Sequence, residues 1–399
     1  MVCLLTATNV SAQTLQALAR LEIGRSSIKG RVSGDVDITL KLTQAVPYRV
    51  FTLDQPARLV MDFREVNFND ATMDKLVSTD LITDMRQGLF RPGWSRMVLT
   101  LRRPMRVFRA AMETDPNDGD AKILIRLTPQ DPDAFAAAAG ARPDDVWALP
   151  SAVDEGRPKT RPNGDRRIVV ALDPGHGGVD PGAQYQGYNE ADLMLLLARE
   201  MKQSLILTGR YQVFLTRNED VFLSLEGRVS AARAGGADVF ISLHADALAE
   251  GNASGMTIYT LSDQASDKAA ETLAANHDRG DLLAGVDLSR QDDLIASILM
   301  DMAQVETMPR SEDLADELVT GIAGAVGRIR SRPRLSAGFS VLKAPDIPSV
   351  LIEFGFMSNR ADLANLATEG WRAKVIAGLI SALDGWSLRD AAESKLLRQ

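Results

Sequence analysis

Ile168-Val-Val-Ala-Leu-Asp-Pro-Gly-His-Gly-Gly178 is an apolar run that breaks into a glycine-rich loop carrying a histidine. Five consecutive apolar residues bounded by turn residues read as a strand buried on both faces, the signature of a parallel sheet. The pattern recurs downstream. Asp238-Val-Phe-Ile-Ser-Leu243 is followed by His244, and Ser349-Val-Leu-Ile352 is followed by Glu353. Between these runs lie helical patterns over 191–207, stopped by Gly209, and over 225–234, ended by Gly235 and Gly236. Further strands are predicted over 211–216, 256–261 and 339–342, and a closing helix over 371–386. Strands alternating with helices predict an α/β domain over 168–388, a mainly parallel sheet covered by helices.

Working outward, residues 20–128 have a different character. Short alternating runs over 36–42, 49–53, 58–63, 95–101, 106–109 and 121–127, with turn residues between them, predict a small all-β sandwich. Six prolines fall within 129–167, so this stretch is predicted to be an extended linker. Residues 1–12 are uncharged, partly apolar and end in Val10-Ser-Ala12, the pattern of a secretory leader remnant cleaved before Gln13. No stretch of 18 apolar residues follows, so no transmembrane segment is expected.

The chain has 399 residues and a net charge of −8, which argues against a nucleic-acid partner. Charge is uneven: 18 basic and 14 acidic residues lie in 13–128, whereas the long interruption at 262–335 has 14 acidic and 8 basic. Its later part carries amphipathic patterns expected to form two helices, over 291–307 and 311–330.

The chain has one cysteine and three histidines: His176, His244 and His277. Thiolate zinc sites are excluded, so a transition metal would need imidazole and carboxylate ligands. His176, His244 and Glu353 each follow a strand of the predicted sheet, and Glu190 opens the first helix. The carboxyl ends of parallel strands share one edge, where ligands bind. Two imidazoles and a carboxylate make a catalytic zinc set with a position left for water, and a second carboxylate can carry the proton. Neither a phosphate-binding loop nor His-Glu-x-x-His is present, and no other cofactor motif is found.

The stretches Leu172-Asp-Pro-Gly-His-Gly-Gly178, Tyr188-Asn-Glu190, Leu215-Thr-Arg217, Ser242-Leu-His-Ala-Asp246, the run from Gly338 to Glu353, and Phe356-Met-Ser-Asn359 resemble zinc-dependent N-acetylmuramoyl-L-alanine amidases of the periplasmic cell-division subgroup. The β-rich region resembles the AMIN targeting domain that precedes the amidase domain there. The resemblance implies that His176, Glu190 and His244 bind Zn2+ and that Glu353 is the catalytic carboxylate. It implies cleavage of the amide joining N-acetylmuramic acid to L-alanine of peptidoglycan stem peptides, in the periplasm at the division septum. It also implies autoinhibition by a helix within 262–335, relieved by a lysostaphin-like activator that docks on this insertion. His277, or else Asp278 or Asp281, is the expected autoinhibitory metal contact. A monomer is expected. Two other readings are a non-catalytic wall-binding scaffold and a metal-dependent carboxypeptidase.

Overall fold

A computed structural model describes residues 19–140 and 166–396, apart from 65, 69–70, 92, 115–119, 248–253, 286–293, 328 and 345. The expected leader remnant and most of the expected linker lie outside the described residues. The start of that linker is not extended: Pro132–Ala138 is a helix (α1), with Asp131 accepting from the amides of Asp133 and Ala134. Proline at its first turn is compatible with helix, because that N–H has no helical partner.

The N-terminal unit is a sandwich. One sheet contains strands Ser27–Gly30 (β1), Val36–Leu42 (β2), Met105–Thr114 (β7) and Ala121–Pro129 (β8), in the order β7-β8-β2-β1, with the short Val77–Ser78 strand at its edge. The facing sheet contains Tyr48–Leu53 (β3), Arg58–Arg64 (β4), Ile82–Arg91 (β5) and Trp94–Leu101 (β6), in the order β3-β4-β6-β5. Alternation sets the inner face: Ala121, Ile123, Ile125 and Leu127 of β8 turn inward against Ile38, Met61 and Leu99.

The second unit has a six-stranded sheet. Its strands are Ile168–Pro174 (β9), Tyr211–Leu215 (β10), Val239–His244 (β11), Thr257–Leu261 (β12), Arg334–Ala337 (β13) and Ser349–Glu353 (β14), in the order β10-β9-β11-β14-β12-β13. The pairs β9–β10, β9–β11, β11–β14 and β12–β13 are parallel, while β12 runs antiparallel to β14. Helices Glu190–Leu207 (α2), Leu225–Ala234 (α3), Lys268–Leu283 (α4), Leu294–Val326 (α5), Arg360–Ala367 (α6) and Glu369–Leu396 (α7) accompany it.

Two expectations need correction. The helices predicted over 291–307 and 311–330 are one helix, α5, with Pro309 inside it. Proline removes a single N–H donor there, and the flanking turns carry the helix through. Leu314, Leu318 and Ile322 of α5 are fully buried in one core with Leu379, Leu383 and Trp386 of α7. At ~1.5–3 kcal/mol per buried aliphatic side chain, this half of the insertion is an integral layer of the domain. The strand predicted over 339–342 is instead the 3-10 turn Ser340–Leu342. The place beside β12 is taken by β13, whose polar Arg334 and Ser336 hide its strand character.

Candidate active site

The register of the sheet brings the site together. β11 and β14 are hydrogen-bonded neighbours, with His244 directly opposite Glu353 at their carboxyl ends. His176 leaves β9 with φ at 57°, a left-handed conformation that turns its ring toward the same edge. Glu190 is the first residue of α2 and is fully buried.

The Glu190 carboxylate sits between the two imidazoles. Its Oε2 lies 3.2 Å from His176 Nε2, and its Oε1 lies 3.1 Å from His244 Nδ1. Two backbone amides hold it there: Ala183 N donates to Oε2 at 3.0 Å and Ala245 N to Oε1 at 2.9 Å. Asp180 Oδ2 lies 2.7 Å from His176 Nδ1 and fixes that ring from behind. Beneath them, fully buried Asp173 accepts from Arg228, Thr216 and Ser242. These bonds tie the ends of β9 and β11 to α3.

Glu353 is also fully buried, and its Oε2 accepts from Asp246 N at 3.0 Å. Its other oxygen faces a third imidazole. His277, on α4, is only 6% exposed and places Nε2 3.4 Å from Glu353 Oε1. Its ring centroid is 4.2 Å from that of His244 and 5.9 Å from that of His176, and it lies edge-on to Phe339 at 5.4 Å. Asp278 and Asp281 do not join this cluster. Asp278 accepts from the amide and hydroxyl of Ser340, and Asp281 from Leu225 N at 2.9 Å. Both therefore pin α4 to the domain.

The electrostatics follow from burial. Burial works to lower the His176 pKa, but the charges of Glu190 and Asp180 outweigh it and hold the imidazole well above its usual value. Burial, reinforced by His277, pulls His244 down to about 3. Burial, then the Glu190 charge, pushes Glu353 well above the usual carboxylate range. Asp246 rises to about 6, chiefly through burial and then Glu190.

His176, Glu190 and His244 offer ligand atoms within 4.8 Å of one another, and so do His244, His277 and Glu353. His176 Nε2, His277 Nε2 and Glu353 Oε1 are buried without a hydrogen-bond partner. Buried polar atoms rarely go unsatisfied. These orphaned atoms belong to two triads that share His244, and the imidazole and carboxylate chemistry of the His176–Glu190–His244 set fits a zinc ion.

The family model described as N-acetylmuramoyl-L-alanine amidase matches residues 170–384. The chain belongs to the N-acetylmuramoyl-L-alanine amidase family. The amidase AmiC of Neisseria meningitidis serogroup B is 36% identical over 361 residues, covering 87% of this chain and 85% of its own. AmiC of Escherichia coli is 30% identical over 400 residues, covering 96% and 92%. The catalytic domain of CwlV from Bacillus (Paenibacillus) polymyxa superposes with a TM-score of 0.41 at 24% identity, covering 55% of this chain and 97% of its own. An AMIN domain model matches residues 28–124, so the sandwich is the AMIN domain of this amidase. The enzyme hydrolyses the amide between N-acetylmuramic acid and L-alanine in peptidoglycan.

Within the amidase, the strand-end reading placed His176, Glu190, His244 and Glu353 together, and the structure does the same. Two flanking residues escaped it. Asp180, four residues after His176, was a usable signal, because an imidazole that binds metal needs a partner on its other nitrogen. Asp246 follows His244 by two residues within the Ser242–Asp246 motif, and nothing in its spacing separates it from the rest of that motif. Among the described residues, no helix is long and apolar enough to cross a membrane.

Proposed function

We propose that this amidase is zinc-dependent and autoinhibited, with His176, Glu190 and His244 holding the metal, Glu353 carrying the proton, and His277 occupying the remaining metal position at rest. The observation that carries this reading is the burial of His277 Nε2 and Glu353 Oε1, 3.4 Å apart and without hydrogen bonds, beside the His176–Glu190–His244 set.

Bound zinc supplies Lewis acidity, which acidifies water and polarises the scissile carbonyl. Glu353 takes the proton from the attacking water as its oxygen bonds to the lactyl carbonyl carbon. It then delivers that proton to the L-alanine nitrogen as the C–N bond breaks. Asp246 N fixes one oxygen of Glu353, leaving Oε1 free for the transfer. Asp180 holds His176 in the tautomer that presents Nε2 to the metal. Glu353 is fully buried with His277 of α4 against its Oε1, so on this reading substrate reaches it only once α4 moves away.

The leader-like N-terminus and the AMIN domain support a periplasmic enzyme acting at the septum in cell separation. A lysostaphin-like activator docking on the 262–335 insertion would release α4. The test compares zinc-loaded intact chain, a chain lacking 268–283, and that deletion combined with Glu353→Ala, on purified peptidoglycan. Mass spectrometry should find free stem peptides only from the deletion with Glu353 intact. No release from any form, or equal release from the Glu353→Ala control, overturns the assignment.

A further inference from the structure

The AMIN sheet β3-β4-β6-β5 does not present its outer face to solvent. It lies against the loop after His176 and the carboxyl end of α4. Leu53, Val60 and Val98 from the sandwich form one buried cluster with Val179, Phe222 and Ala284 of the catalytic domain. Phe90 stacks on Phe222 with centroids 5.8 Å apart. Leu89 O accepts from Val179 N and Phe222 N, at 3.3 and 3.1 Å. Arg86 reaches Asp180 at 2.9 Å.

Two guanidiniums in this face are the unusual part. Arg58 and Arg96 are each only 2% exposed. Arg58 donates to Leu282 O. Arg96 donates to Ala284 O and Gly285 O at 3.2 and 2.7 Å, and is itself held by Asp62 through two bonds of 2.5 and 2.9 Å. Leu282 lies in the last turn of α4, Ala284 is its cap and Gly285 follows the cap. A helix accumulates partial negative charge at its final carbonyls, so a buried cation placed there is favourable. Each arginine is also held within the sandwich, Arg58 by Asp54 O and Pro56 O at 3.0 Å and Arg96 by Asp62, and each keeps one further donor for the helix that carries His277.

We propose that the AMIN domain is an intramolecular clamp on α4: Arg58 and Arg96 grip its carboxyl end, so His277 leaves the active site only when this sheet face lets go. The clamp rests on the autoinhibited reading above and adds a second lock to it. It also couples the two domains: any ligand that pulls the sandwich off the catalytic domain favours the open enzyme, and opening favours that ligand equally.

Two variants of the zinc-loaded full chain test the clamp by different routes. Arg58→Ala removes one grip. Gly88→Ala leaves the arginines in place but puts a Cβ into Gly178 O of the catalytic domain, so the faces cannot close. Strand β5 accommodates alanine, and thermal melts and circular dichroism report whether each variant folds. Activator-free stem-peptide release should rise about tenfold or more, the worth of one charged hydrogen bond. Hydrogen exchange along 268–283 should quicken in parallel, with and without zinc. In a chain lacking 268–283, neither substitution should change release. Unchanged release and exchange in both folded variants, with the deletion still active, overturns the clamp and leaves autoinhibition standing. A fall in release within the deletion background also overturns it, since docking would then be supporting the His176 loop. An inactive deletion removes autoinhibition and the clamp together.

Discussion

If His277 blocks the site as proposed, truncating it to alanine should switch the enzyme on with no other protein present. The imidazole is 6% exposed and packs between the His244 ring, at 4.2 Å, and Phe339, at 5.4 Å. Deleting a side chain of this size from a buried site costs ~2–4 kcal/mol, charged here to the closed state alone. Each 1.4 kcal/mol is about tenfold, so the closed-to-open ratio should fall roughly 30- to 1000-fold. Basal activity rises by that factor until the open form predominates. The assay is release of dye-labelled fragments from sacculi at fixed zinc, without activator, beside the parent and the 268–283 deletion. His277→Gln keeps most of the volume and should give a smaller increase, which separates packing from the imidazole's metal contact. A His277→Ala rate within twofold of the parent, while the deletion is active, would refute the plug.

Asp180→Asn should weaken zinc binding 10- to 100-fold, read by competition with a chromogenic chelator, because it removes the carboxylate that orients His176 from 2.7 Å. Zinc should raise the melting temperature and a chelator should lower it again, since binding at a thousand times Kd adds ~4 kcal/mol to the folded state. Asp281 gives α4 a pH dependence. Burial, offset only in part by Leu225 N and Arg228, lifts its pKa to about 7 from 3.8, so the docked helix holds a proton that the released helix gives up. Docking strength is therefore full below pH ~4, declines as pH rises through 7, and is weakest above it. Hydrogen exchange of 268–283, corrected for intrinsic rates, should show more opening at pH 8 than at pH 5, and Asp281→Asn should flatten the difference.

The central strands were legible because a strand buried on both faces is apolar at nearly every position, as Val239–His244 is apart from Ser242 and its final histidine. The site was legible for the same reason: a histidine or glutamate at the end of such a run stands out, and parallel topology then puts the ends together. Legibility failed where residues serve neighbours in space. The strand Ile82–Arg91 carries Asp84, Arg86, Gln87 and Gly88 and has no clean alternation, because one face packs the sandwich and the other meets the catalytic domain. Arg58 and Arg96 look like ordinary strand charges until the carbonyls of α4 arrive opposite them. Periodicity reports which way a residue faces within its own element, and it carries no information about a second domain. The expected pair of helices over 291–307 and 311–330 fails for the converse reason: local amphipathic patterns divide there, and packing of Leu314, Leu318 and Ile322 accompanies a single helix that runs through Pro309.

His244 and Glu353 are locked to each other by the ladder between β11 and β14, whereas His277 sits on a separate helix of the same polypeptide. In the proposed autoinhibited state the blocker would be supplied one per site, at an effective concentration set by the connecting chain rather than by diffusion. Dilution cannot strip it away and overproduction of the enzyme cannot outrun it. On that proposal, a cell carrying many copies of this hydrolase would hold as many silent sites, and the number that cut at any moment would be fixed by how many helices are being held open.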